Sequence, residues 1–172
     1  MIISILADLY NRFLLSPEKY ARRIGVKIGS DCLIATRNWS SEPYLVTIGN
    51  HVQLTNGVSI HTHGGGNSVR ETIPSFDIFG KVVIEDWAYI GAGSQIMPGV
   101  TIGRGSIIAA GSIVTKSVPA ASVFGGNPAR FICSIDDWLK NNEKYNVGTK
   151  SMSSKEKKLF LLSLSDEHFI KK

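Results

Sequence analysis

Counting by six from Ile84 lands on Ile84, Ile90, Ile96, Ile102, Ile108 and Val114 without a miss. Four residues after each of these stands a compact side chain: Ala88, Ser94, Val100, Ser106, Ser112 and Val118. One position earlier come Gly93, Gly99, Gly105 and Gly111. A helix of period 3.6 or a strand of period 2 cannot produce such a column. A chain wrapping a triangular prism can, each hexad supplying one short strand and one corner. The aliphatic then points inward to a continuous ladder, and glycine relieves corners that need positive φ. Three hexads, about 18 residues, close one coil, and coils stack at the strand spacing of ~4.8 Å. The repeat from Ile84 to about Val118 therefore predicts a mainly β chain with a parallel β-helix at its core.

The same frame occurs earlier, in Ile28–Ile34 and in Ile48, Leu54 and Ile60. Two interruptions break it. Thr36 to Tyr44 has the aromatic and proline content of a loop, and His61 to Lys81 contains Gly64-Gly65-Gly66. Long loops in a regular scaffold tend to carry function. After Val118 the register fades, and Pro119 and Pro128 bracket a glycine-rich turn.

The ends differ in character. Ile2, Ile5, Leu6, Leu9 and Phe13 recur at helical spacing, but Asp8, Asn11 and Arg12 interrupt the stretch before transmembrane length. An amphipathic helix is expected there, with no integral membrane segment. Ser16-Pro17-Glu18 opens a short basic helix through Arg23. Beyond Ser134, Asp136-Asp137-Trp138-Leu139 reads as a short helix. Ser153-Ser154-Lys155-Glu156 is a capping box opening another, with Leu159, Phe160, Leu162 and Leu164 available to dock. The tail could cap the last coil against edge pairing. The expected organisation is a helical segment over 1–23, the β-helix over 24–133 with its loop at 61–81, and a helical extension over 134–172.

An apolar content of 43% and a charged content of 19% are those of a folded rather than a disordered chain. The net charge of +5 comes without a long Lys/Arg block or basic–aromatic interleaving, so nucleic acid is not an expected partner. Cys32 and Cys133 lie far apart without metal-ligand spacing, as in a reduced, cytoplasmic chain.

Three further stretches resemble the hexapeptide-repeat acyltransferases. They are Ile90-Gly91-Ala92-Gly93-Ser94 through Gly103, Ala110-Gly111-Ser112-Ile113-Val114-Thr115-Lys116, and Gly125-Gly126-Asn127-Pro128-Ala129-Arg130. Within that superfamily, Gly57 to Gly65 and Phe79-Gly80 look like the acetyltransferases of bacterial capsule and surface-polysaccharide synthesis. The resemblance implies a left-handed parallel β-helix, a homotrimer, and transfer of acetyl from acetyl-coenzyme A. The handedness rests on resemblance alone, since general crossover rules favour the opposite hand.

Moving acetyl from a thioester to a hydroxyl or amine needs a base, and a neutral imidazole suits that task near pH 7. The chain has four histidines, and His61 and His63 flank Thr62 at the mouth of the long loop. The resemblance selects His63, which matches the family's histidine before Gly-Gly. His61, Asn56 and Asp77 are candidate contacts to a saccharide acceptor. Asp77 and Glu42 are both candidates for the carboxylate that fixes the imidazole tautomer. His51 and His168 read as surface residues.

By motif position the resemblance places the pantetheine arm at Gly91, Ala92, Ala109 and Ala110, with a backbone N–H near Ala92 as oxyanion donor. It places Thr115, Lys116 and Arg130 at the nucleotide end, where cations would neutralise phosphates. Ala109-Ala110 departs from the commoner Gly-Ala and adds a methyl beside the expected groove. Trp87, at a repeat corner, reads as a packing residue.

The expected activity is O-acetylation of a sugar in surface-polysaccharide synthesis, by direct transfer without an acyl-enzyme. Amino-sugar N-acetylation uses the same parts. A zinc hydratase on this scaffold would need a third histidine beside His61 and His63, so no metal is expected. A non-catalytic β-helix that binds coenzyme A is the remaining alternative.

Overall fold

The computed structural model describes residues 15–171. The amphipathic helix expected on Ile2, Ile5, Leu6, Leu9 and Phe13 lies outside the described residues. The chain divides into a unit ending at Ile135 and a second one from Asp136.

The first unit opens with helix α1 (Pro17–Arg23). The Ser16 side chain caps it by accepting from the Lys19 N–H, and Glu18 pairs with Arg22 one turn later. Gly25, at φ +108°, then turns the chain into the prism.

Three faces of short strands follow. The first stacks β1 (Lys27–Ile28), β3 (Val46–Ile48), β6 (Val82–Ile84) and β9 (Thr101–Ile102). The second stacks β2 (Leu33–Ile34), β4 (Gln53–Leu54), β7 (Tyr89–Ile90), β10 (Ile107–Ile108) and β12 (Ser122–Gly126), with β13 (Ala129–Ser134) outermost. The third holds β5 (Ser59–Ile60), β8 (Gln95–Ile96) and β11 (Ile113–Val114). All pairs are parallel except β12–β13.

Register explains the column. Ile84 pairs with Ile102, Ile90 with Ile108 and Ile96 with Val114, so a coil is three hexads and each aliphatic lies under its successor. All six are buried, as are the earlier Ile28, Ile34, Ile48, Leu54 and Ile60. This ladder is the core, and truncating one rung typically costs about 2–5 kcal/mol. Gly93, Gly99, Gly105 and Gly111 all have positive φ, as their corner position requires.

The buried serines need partners, and find them in carbonyls of the adjoining turn. Ser94 Oγ donates to the Ala109 carbonyl at 3.0 Å, Ser106 Oγ to Pro119 at 2.7 Å, and Ser112 Oγ to Ala109 at 2.6 Å. A small residue lets the corner close, and a hydroxyl satisfies a carbonyl that has no water to meet.

Two features differ from the sequence expectation. The stacking continues past Val118: Val118 bridges to Ile102, and β12 pairs with β10 through Ile107–Val123 and Ile108–Phe124. Six-residue counting misses this strand because its coil is two residues short. Trp87, expected to pack, is 56% exposed and adopts φ +62° where the next coil has Gly105. A bulky side chain held there costs on the order of 1 kcal/mol or more.

The second unit contains most of helix α2 (Ile135–Asn142) and all of helix α3 (Ser154–Ser163). The capping box is present, with Ser153 N–H donating to Glu156 Oε2 at 2.9 Å and Glu156 N–H to Ser153 Oγ at 3.4 Å. Its apolar residues are only partly covered: Phe160 and Leu164 are half-buried, whereas Leu159 and Leu162 are exposed. Among the described residues no helix is long and apolar enough to cross a membrane.

Candidate active site

Two departures from the prism meet at its third–first corner. The first coil is two residues longer than three hexads, since Ile28 pairs with Ile48; the extra length lies in the Thr36–Tyr44 segment. The next gap, Ile48 to Ile84, is twice the repeat length, and the surplus is the 61–81 loop. Both segments leave the body on the same side. Asn38 bridges to Ser59, placing the first loop beside the root of the second.

There the Glu42 carboxylate, 16% exposed, lies 2.6 Å from His63 Nδ1. Thr62, fully buried, donates its hydroxyl to the same Oε2 at 2.8 Å, and Ser40 Oγ lies 3.4 Å from Nδ1. The Thr62 hydroxyl, and then the His63 ring, hold the Glu42 carboxyl below its ordinary range. An ionised carboxylate only accepts, so Nδ1 carries the proton that donates to it, and the neutral tautomer this selects has its lone pair on Nε2.

The root of the long loop is held by the Gly80 N–H to the Thr62 carbonyl (2.7 Å) and by an antiparallel bridge between His63 and Phe79. The Phe79 ring meets the imidazole edge-on, 6.0 Å between centroids. Gly80 is obligatory here for space: a Cβ would collide with Gly99 N and Pro98 C of the next coil. A cavity of about 580 Å³ opens beside His63, walled by His61, Phe79, Gly80, Met97 and Pro98. His61 contributes a buried Nε2 with no hydrogen-bond partner among the described residues.

Of the two carboxylates open at the sequence level, Glu42 reaches the imidazole. Asp77 does not; its carboxylate lies 3.5 Å from Arg70 Nη2, and it does not line the cavity. Asn56 lies at the other edge of the third face, where its carbonyl accepts from the Gly93 N–H. Neither stands beside His63 as an acceptor contact in this chain. Thr62 was not anticipated, and its one sequence signal is a small hydroxyl residue between two histidines.

The expected cofactor residues fall on two corners. Thr115 and Lys116, both exposed, follow β11 on the corner that also carries Met97 and His63. Gly91, Ala92, Ala109 and Ala110 occupy the second–third corner, across the third face. Gly91 N–H donates to the Ile108 carbonyl, and a Cβ on Gly91 would strike Ala110 N, so these coils approach closely. The hairpin joining β12 to β13 continues this corner. Gly126 N–H reaches Ser112 Oγ at 3.2 Å, and Arg130, exposed, pairs across the hairpin with Gly125. The extra methyl of Ala109 points at Gly125, where a Cβ would come within 2.9 Å of it. Glycine at 125 accommodates what Ala109 adds.

No group of three His, Cys, Asp or Glu side chains that could hold a metal occurs among the described residues. A parallel β-helix bearing a carboxylate-held imidazole at a cavity has the parts of an acyl-transfer enzyme.

Residues 81–116 match the family model described as bacterial transferase hexapeptide (six repeats). Protein CapG of Staphylococcus aureus is 42% identical over 161 residues, covering 90% of this chain and 91% of that protein. The chain belongs to the hexapeptide-repeat acyltransferase family. Among solved structures, the hexapeptide-repeat acetyltransferase VCA0836 of Vibrio cholerae, complexed with acetyl-coenzyme A, superposes with a TM-score of 0.59. It is 25% identical, over 76% of this chain and 84% of that one. A maltose O-acetyltransferase from Clostridium difficile gives a TM-score of 0.54 and 27% identity over 68% and 73% of the two chains.

Proposed function

We propose that the protein is an acetyl-coenzyme A-dependent O-acetyltransferase acting on a sugar hydroxyl in surface-polysaccharide synthesis, with His63 as general base. The observation that carries this reading is the 2.6 Å contact between His63 Nδ1 and Glu42 beside the cavity. The carboxylate sets the tautomer and favours the imidazolium that forms during the reaction. His63 Nε2 takes the proton of the acceptor hydroxyl as its oxygen attacks the thioester carbonyl. The tetrahedral oxyanion collapses, the carbon–sulfur bond breaks, and the imidazolium returns the proton to the coenzyme A sulfur. General-base assistance of this kind is worth about 10²- to 10⁴-fold.

The cavity's few polar groups among apolar walls suit a sugar ring, and two relatives support the assignment. The Vibrio acetyltransferase holds acetyl-coenzyme A, and the Clostridium enzyme is an O-acetyltransferase of maltose. The Ala92 N–H donates to no backbone group among the described residues, which suits an oxyanion donor. It is about six residues along the coil from Pro98, a span of up to ~20 Å across one face. A donor must come within about 3 Å of the oxyanion. The two corners serve one thioester if a neighbouring copy brings its second–third corner against this chain's His63. That arrangement is a cyclic homotrimer with three interfacial sites.

The test is thiol release from acetyl-coenzyme A with a panel of sugars and amino sugars, for the native protein and His63→Ala. Release with neutral sugars and its loss in the variant are expected. Undiminished turnover in His63→Ala would defeat the mechanism, and turnover with amino sugars alone would make the enzyme an N-acetyltransferase.

A further inference from the structure

The first–second corner carries none of the residues assigned to catalysis or to the cofactor, yet it is the most strained part of the prism. Asp31, His51 and Trp87 stand one above another on successive coils, at φ +54°, +56° and +62°. Their backbones repeat one hydrogen bond: His51 N–H to the Ser30 carbonyl, Trp87 N–H to Asn50, and then Gly105 N–H to Asp86. Left-handed backbone in non-glycine residues persists where the surroundings over-determine it, often for function. Here the side chains make a stack. The Trp87 and His51 rings lie 4.0 Å apart and 18° from parallel, and Asp31 Oδ2 lies 3.9 Å from His51 Nδ1.

The stack ends abruptly. The next position is Gly105, around which a Cβ would meet nothing within 4 Å. The indole is backed by His51 on one side and steps into open space on the other, with more than half of the residue exposed.

A ladder of polar groups runs one residue before it. Asp86 Oδ1 accepts from the Asn50 N–H at 2.8 Å, and Asp86 Oδ2 from Arg104 Nη1 at 2.9 Å. Glu85 Oε2 accepts from the Arg104 N–H at 2.8 Å. The Asn50 amide N–H, and then Arg104, hold the Asp86 carboxyl below its ordinary range, so it is an ionised acceptor. Gly49 makes room for it, since a Cβ there would strike Asp86 Oδ1. Beside these groups runs an open groove of about 280 Å³, bordered by Thr47, Gly49, Val83, Asp86 and Arg104.

We propose that Trp87, backed by His51 and flanked by Asp86 and Arg104, is a second binding site that takes a neutral saccharide ring of a glycan chain. The apolar C–H face of a pyranose lies on the bare indole face, while its hydroxyls, donors and acceptors at once, meet the carboxylate and the guanidinium. The groove lies on the Asp86–Arg104 side of the indole rather than around it, and its volume, just below the usual ligand-pocket range of about 300–1,000 Å³, leaves room there for a neighbouring ring of the chain. Charge disfavours a nucleotide, because one guanidinium is set against the two carboxylates of Asp86 and Glu85. Such a site would hold a polymeric acceptor away from the reacting unit without taking part in the chemistry.

The experiment uses the intact protein and three probe series: malto-, cello- and N-acetylated chito-oligosaccharides, with UMP as the nucleotide control. Binding is read by titration calorimetry in the native protein and every variant, and in the native protein also from the Trp87 indole N–H signal by NMR. At least one series should give a saturable change that weakens at least tenfold in Trp87→Gly and several-fold in Arg104→Ala. Trp87→Gly matches Gly105 of the next coil and relieves backbone strain, so it should fold at least as well as the native chain. Thiol release with a monosaccharide acceptor should be unchanged in that variant. Its loss from the native protein would strike the proposed reaction and leave the binding result standing. The second site is overturned if no series perturbs Trp87, if the response survives in Trp87→Gly, or if only UMP binds.

Discussion

Glu42 and His63, twenty-one residues apart in the chain, meet at 2.6 Å because two loops leave the β-helix at the same corner. That contact fixes which imidazole nitrogen carries the proton. Glu42→Gln keeps the shape of the carboxylate and removes its charge. It should lower kcat about 10- to 10³-fold with little change in KM for acetyl-coenzyme A, by analogy with other carboxylate–histidine pairs. Steady-state kinetics with both substrates varied checks this, and a change confined to KM would count against an orienting role.

Thr62 gives the same carboxylate a pH signature. Its hydroxyl is the largest cause holding the Glu42 carboxyl below the ordinary value of about 4.5. A carboxyl depressed on folding contributes stability above its unfolded value, and that contribution is lost as pH falls through the folded value. Thr62→Val should therefore be less stable than the native protein at pH 7. The difference should shrink steadily below about pH 4.5, read from urea denaturation at a series of pH values.

Ile96 sits at the centre of the third face with no exposed surface, between Ile60 and Val114. Ile96→Ala opens a cavity between two rungs and should cost about 2–5 kcal/mol in chemical denaturation. The same change at the exposed Leu162 should fall within about 0.5 kcal/mol of native.

Ser106→Ala tests the corner serines. It removes the donor to the Pro119 carbonyl and the acceptor 3.4 Å from the Ser122 N–H, in a buried corner. A loss of about 1–3 kcal/mol is expected from leaving these groups unpaired. A neutral outcome would mean that water reaches the corner.

Gly80→Ala should disable the site while sparing most of the fold. The added methyl meets backbone atoms of Pro98 and Gly99, which cannot swing aside as a side chain could. The displaced segment anchors Thr62 through the Gly80 N–H. Thiol release should drop by at least tenfold, while circular dichroism retains the native strand signal.

The amino-acid sequence by itself determined the prism. From Ile84 to Val114 the period of six is unbroken, and packing of the ladder depends on local spacing, so these residues could be assigned to the core by counting. The Ser16 cap, the capping box at Ser153 and the glycine corners were equally legible, being set within a few residues. Where the period slips, between Val114 and Val118, the strand Ser122–Gly126 beyond it went unread although it stacks like the rest. Tertiary structure alone decided between Glu42 and Asp77, enlisted Thr62, split the cofactor candidates between two corners, and turned Trp87 outward onto His51. Each of these depends on which residues of different coils share a corner. That is set by the lengths of the two interruptions, and no periodicity inside either loop encodes it.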